Sequence, residues 1–235
     1  MRYAIYFTPG RNDPLTRIAA SWLGRDPFSG GQPGAPAVTG LSPAEIAYHT
    51  ASARRYGFHA TLKAPFRLAE NATEAELDQA IASYAASAEP ILLSKLVPAR
   101  IDGFLALVPG SPAPDLDAFA GDVVTTFDRF RAPLSEAEIK RRNPDALSPE
   151  EFRNLMRWGY PYVFESFRFH MTLTGRVPDA DLPRVRAAID EVFAAALEEP
   201  ARIDGLALFV EPEPGAPFEV KSWYGLGQHT ARKTA

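Results

Sequence analysis

Apolar and polar positions alternate in short blocks along this chain, and the blocks predict its elements. Arg2 to Phe7 is aromatic and β-branched and closes at Pro9-Gly10, the mark of a strand ended by a turn. Leu15 to Leu23 has helical spacing and stops at Gly24. Residues 27–40 are rich in glycine and proline and predict a loop with no core of its own. Ser42-Pro43-Ala44-Glu45 opens a helix, with a capping serine, proline at the first helical position and a glutamate that bonds back. Asn71 to Ala88 is helical, with Leu77, Ile81 and Tyr84 on one side. Ile91–Val97 and Arg100–Val108 then predict strands, and Pro109-Gly110-Ser111-Pro112 a seam. Beyond it come helices over Asp115–Phe130, from Ser148 to a stop at Gly159, and over Leu182–Leu197. Strands follow near Ile203–Val210 and Phe218–Tyr224.

One pattern occurs twice. Phe58-His59-Ala60-Thr61-Leu62 returns as Phe169-His170-Met171-Thr172-Leu173, and Ala99-Arg100-Ile101-Asp102-Gly103 returns as Ala201-Arg202-Ile203-Asp204-Gly205. Two motifs repeated in the same order imply an internal duplication. The fold class expected is α+β, a single bilobal domain over residues 1–228. Its lobes are 1–110 and 111–228, each an antiparallel sheet with helices around a central cleft, and 229–235 is a mobile tail. The second repeat is read as a strand start, with Asp102 and Asp204 in turns.

Residues two apart in a strand share a face. His59, Thr61 and Lys63 therefore form one polar face, and Arg168, His170, Thr172 and Thr174 another, with phenylalanine and leucine opposite. Two imidazoles across a substrate act as base and acid in one displacement. Two threonine hydroxyls hydrogen-bond phosphoryl oxygens. Lys63 and Arg168 offset developing negative charge. This chemistry requires no metal and no cofactor. It opens a phosphodiester, most easily a strained cyclic one. His49 and His229 have no partner motif and read as surface residues, and Lys140-Arg141-Arg142 reads as a solvated helix end rather than a phosphate-gripping loop.

Composition narrows this only slightly. The 235 residues carry a formal net charge of −4, so phosphate recognition must come from a local pocket, and a long nucleic acid is disfavoured. There are no cysteines, which removes disulfides and thiolate chemistry and is compatible with a reducing cytoplasm. The first apolar run is too short for a signal peptide, and no stretch approaches the roughly 20 apolar residues that span a bilayer. A cytoplasmic protein without a membrane partner is expected; the sequence leaves the oligomeric state open.

The paired His-x-Thr motifs on a duplicated α-β chain resemble the 2H phosphoesterase superfamily, over roughly residues 1–228. Arg55-Tyr56-Gly57-Phe58-His59-Ala60-Thr61-Leu62-Lys63 and Trp158-Gly159-Tyr160-Pro161-Tyr162 look like its bacterial branch associated with phosphonate-utilisation operons. The resemblance implies a cleft with pseudo-two-fold symmetry and a metal-independent phosphodiesterase. His59, Thr61, His170 and Thr172 would be catalytic, and Lys63, Arg168, Arg55, Tyr56, Trp158 and Tyr160 would bind a small ribose-phosphate or nucleotide-like ester. Thr174 in the place of Lys63 makes the two sides unequal in charge. Two alternatives accompany this reading: an RNA-end 2′,3′-cyclic phosphodiesterase or ligase, with Trp158, Tyr160 and Tyr162 as stacking platforms, and a non-catalytic phosphometabolite-binding module.

Overall fold

The computed structural model describes residues 1–227. The tail expected to be mobile, and His229 with it, lies outside them. The elements run β1 (Arg2–Phe7), α1 (Pro14–Leu23), α2 (Pro43–Arg54), β2 (Ala60–Phe66), α3 (Glu74–Ser87), β3 (Ile91–Leu93), β4 (Leu96–Ile101), β5 (Phe104–Pro109), α4 (Pro114–Thr126), α5 (Glu136–Arg141), α6 (Pro149–Trp158), β6 (Met171–Arg176), α7 (Leu182–Phe193), β7 (Ala201–Ile203), β8 (Gly205–Glu211) and β9 (Glu219–Gly225). The protein is α+β. Seven strands form one antiparallel sheet in the order β4-β5-β6-β2-β1-β8-β9, and β3 pairs with β7 apart from it.

Alternation in the strands decides what each face of the sheet carries. Tyr3, Ile5 and Phe7 of β1 join Leu62, Leu107, Met171, Leu173 and Leu208 on one face. There they meet Leu23 of α1, Ile81 of α3, Val123 of α4 and Ile189 of α7 in the main core. The residues between them, Ala4, Tyr6, Ala207 and Phe209, gather with Phe218 in a smaller cluster on the other face. The predicted helix starts hold: Ser42 and Ser148 each close a capping box, with Glu45 and Glu151 bonding back.

The two histidine strands lie side by side at the centre, with Ala60 opposite Met171. Around them the sequence halves interleave, since β4-β5 flank β6 and β8-β9 flank β1. The repeated Ala-Arg-Ile-Asp-Gly does different work in its two settings. The first copy ends β4 and turns at Asp102 and Gly103 (φ 46° and 97°), a two-residue hairpin loop inside the stretch predicted as one strand. The second copy is β7, and Asp204 separates it from the sheet strand β8.

His49 is not a surface residue. α2 packs on β6 so closely that Gly175 has no room for a side chain beside Ser52, and His49 is buried there. No helix of the described residues is long and apolar enough to cross a membrane.

Trp22 of α1 anchors this packing. It is fully buried, meets Phe193 edge-on, and its Nε1–H donates to the Leu173 carbonyl at 2.9 Å, next to Thr172. Trp22→Phe keeps most of the bulk and leaves that carbonyl without its donor. The expected loss is about 1–3 kcal/mol in urea denaturation; no loss would mean the bond contributes nothing.

Candidate functional site

Each histidine sits at the entrance of its strand, immediately before β2 or β6. The His59 Nδ1 lies 2.9 Å from the Gly57 carbonyl, and the His170 Nδ1 lies 2.7 Å from the Arg168 carbonyl. A carbonyl only accepts, so both Nδ1 atoms carry a proton, and Nε2 is the atom of each ring left to exchange one. The same bond, to the residue two places back, fixes the same tautomer twice.

With Ala60 opposite Met171, the antiparallel register sets His59 against Thr172 and Thr61 against His170. All four line one cleft of ≈ 780 Å³. Thr61 Oγ1 is 3.4 Å from His59 Nε2. Gly57 enables the arrangement on the first side. Its φ of 74° is in the left-handed region, and a Cβ there would come within 2.7 Å of Pro27.

The two rings differ in surroundings. His59 stacks on Tyr6 with centroids 3.9 Å apart and has Tyr56 and Phe209 at 6.1 and 6.0 Å. Burial in this aromatic box holds its pKa down to about 4, against the opposing pull of the Gly57 carbonyl and with a smaller push from His170. His59 is therefore neutral at pH 7, able to take a proton. His170 has Phe104 at 5.7 Å and opens on its far side into a second hollow of ≈ 580 Å³.

Five arginines line the cleft: Arg2, Arg55, Arg67, Arg141 and Arg142. Glu211 is fully buried and paired with both Arg2 and Arg55, and it also accepts the Gly215 N–H at 3.1 Å. Burial pushes this carboxyl up, but those partners outweigh it and hold it below its ordinary value. Arg142 lies over the ring of Tyr160 at 4.9 Å.

Of the sequence candidates, His59, Thr61, His170, Thr172, Arg55, Tyr56 and Tyr160 share this cleft. Lys63 does not. The β1–β2 pairing shifts register between Tyr6↔Thr61 and Ile5↔Lys63, and this bulge turns Lys63 to the helix face, where it is buried. Thr174 is also buried, its hydroxyl accepting the Leu105 N–H at a second bulge between β5 and β6. The expected charge asymmetry between Lys63 and Thr174 is therefore no feature of the cleft. Arg168 is exposed; its side chain borders the second hollow, and its carbonyl is what holds His170. Trp158 points away, edge-on to Phe164 at 5.3 Å, because the left-handed turn at Gly159 separates it from Tyr160. Tyr162 borders the second hollow.

Sequence reasoning missed Tyr6, Arg2, Arg67 and Glu211, and it set aside Arg141 and Arg142. The Lys140-Arg141-Arg142 run held the signal for the last two: α5 ends there, pointing into the cleft.

An antiparallel sheet thus holds twin histidines in matching backbone bonds beside five arginines in one cleft. The chain belongs to the family described as "Protein of unknown function (DUF1045)", whose model matches residues 61–219. It is 42% identical over 221 residues to "Ribose 1,5-bisphosphate phosphokinase PhnN" of Janthinobacterium sp. (strain Marseille), covering 92% of this chain and 49% of that protein. To the protein of the same name from Laribacter hongkongensis (strain HLHK9) it is 39% identical over 220 residues, covering 94% and 50%. The chain thus spans about half the length of these curated relatives. Among solved structures it is similar to TT0787 of Thermus thermophilus (TM-score 0.45, 14% identity, 97% of this chain and 100% of that one). It is also similar to E. coli LigT complexed with NADP+ (TM-score 0.41, 10% identity, 97% and 98%). At these values neither structure bears on residue roles or activity.

The neutral state of His59 has a consequence for stability. The unfolded chain protonates this ring near its ordinary 6.5, the folded protein only near 4, so the folded state loses ground as pH falls through that window. Between pH 7 and pH 5 the wild type should lose about 2 kcal/mol more than His59→Gln in urea denaturation. Equal losses would show that the ring titrates normally. Gly57→Ala should lower turnover about tenfold or more by displacing the carbonyl that holds His59.

Proposed function

We propose that the chain is a metal-independent phosphodiesterase that opens a cyclic phosphate on a small ribose-phosphate or nucleotide-like substrate. The observation that carries this is the pair of histidines on adjacent strands, both with Nδ1 held by a carbonyl and Nε2 available to one cleft. His59, neutral at pH 7, takes a proton from water as its oxygen bonds to phosphorus. The bond from phosphorus to the ring oxygen breaks, and that oxygen receives the Nε2 proton of a His170 that enters the cycle as imidazolium, leaving His170 neutral and His59 protonated. Thr61 and Thr172 hydrogen-bond the non-bridging oxygens. The arginines bind a second anionic group elsewhere on the substrate, which supports a phosphorylated sugar over a bare diester.

The name of the curated relatives suggests the sugar. Hydrolysis of a 1,2-cyclic phosphate on ribose 5-phosphate, with cleavage at the 2-oxygen, releases ribose 1,5-bisphosphate, the compound in that name. The present sequence has no Gly-x-x-x-x-Gly-Lys-Ser/Thr string, the phosphate cradle of P-loop enzymes. In the longer relatives a phosphodiesterase half would then supply the substrate of a kinase half. On this reading the chain acts in phosphonate metabolism, as the sequence resemblance implied.

Turnover of 1,2-, 2′,3′- and 3′,5′-cyclic phosphates followed by phosphorus NMR tests the proposal. Opening of a sugar cyclic phosphate is expected, unaffected by chelator. His59→Ala and His170→Ala should each reduce kcat by about two to four orders of magnitude. Activity that survives both substitutions, or vanishes with chelator, overturns the mechanism, and tight binding without product would make the chain a sensor.

A further inference from the structure

Lys63 stands two residues after Thr61, yet it serves the other face of the sheet. Its Nζ donates to the Val124 carbonyl at 3.1 Å and to Asp128 Oδ1 at 3.0 Å, and its side chain is 3% exposed. Asp128 in turn accepts Arg131 Nε at 2.8 Å and Nη2 at 3.2 Å. That same Nη2 donates to the Arg157 carbonyl at 2.9 Å, in the last turn of α6. Gly159 packs flat on the Arg131 side chain, where a Cβ would come within 2.9 Å of Cδ. One residue later Tyr160 enters the cleft beneath Arg142.

The polar series thus runs from the catalytic strand to the excursion that carries α5 and α6. The excursion is tied at its start by the Leu68–Arg131 backbone bridge and by Arg67 donating to the Pro133 carbonyl at 2.8 Å, and at its end where Phe164 packs on Gly121 of α4, but α5 and α6 between them are thinly anchored. α5 buries no residue and α6 only Leu155, which stands outside the main core. The other ionic tie, Arg67 to Glu138, is solvent-exposed on the arginine side and so weak.

We propose that Lys63, Asp128 and Arg131 are positioning residues, a part-buried ionic strut rooted in the buried Lys63, by which strand β2 sets the placement of Tyr160 and Arg142 over the cleft. The strut rests on the reading of that cleft as a phosphate site. Its geometry explains why a charged residue follows the first His-x-Thr motif without reaching the substrate. A buried pair fixes direction as well as distance, which an apolar contact does not.

The test replaces both partners with apolar groups, Lys63→Met with Asp128→Leu, which avoids leaving the buried charge unpaired. Lys63→Arg is the conservative variant, and Arg131→Gln cuts the far end should the double variant not fold. Thermal melting establishes folding. Inorganic pyrophosphate is titrated calorimetrically, and acrylamide quenching of Trp158 at the end of α6 is measured, with Trp158→Phe as the subtraction control. The cut variants should bind pyrophosphate about tenfold more weakly and show more quenching, and Lys63→Arg should restore both. With a cyclic phosphate carrying a second phosphate, KM should rise about tenfold. With one lacking it, both constants should stay within about twofold, and the pH profile should not move. Unchanged pyrophosphate affinity and quenching in a folded cut variant overturn the strut, as does an equal fall in kcat on both substrates. If the wild type turns nothing over, the catalytic proposal fails, while quenching still decides the strut.

Discussion

Pairing Ala60 with Met171 brings together two strands far apart in the chain, and the chemistry of the cleft depends on that register. It sets each histidine against the threonine of the other motif. Slipping one strand past the other by one residue would turn its histidine toward the helices and its phenylalanine toward the cleft. The register is held from the helix face, where Ala60, Leu62, Met171 and Leu173 are buried under α2, α4 and their neighbours. The core therefore specifies the site through the alternation of the strands.

Charge follows a different logic. The sequence is acidic overall, yet five arginines meet in one cleft, contributed by β1, by the segments on either side of β2 and by the excursion that carries α5. Buried Glu211 holds two of them in the wall of the cleft. The positive field is therefore local to the cleft and does not extend over an acidic protein as a whole.

Much of this was legible in the residues. Capping boxes announced α2 and α6, and the doublet announced the four central side chains, because those signals are local. Lys63 was misplaced because counting by twos has no means to register a bulge. Arg2 and Glu211 carried no signal, being joined only by the sheet across almost the whole chain. Arg141 and Arg142 looked like any helix end, since their destination depends on how the excursion folds back. The letter-for-letter repeat of Ala-Arg-Ile-Asp-Gly shows the converse: identical strings end in a hairpin turn once and in a separate sheet the second time.

Both histidines are oriented by main-chain carbonyls, with no carboxylate of the described residues behind the imidazole. Their orienting partner is the course of the backbone itself, and no point substitution deletes a carbonyl. A substitution can therefore disturb this orientation only by moving the main chain itself, as a side chain at Gly57 would by pressing on Pro27.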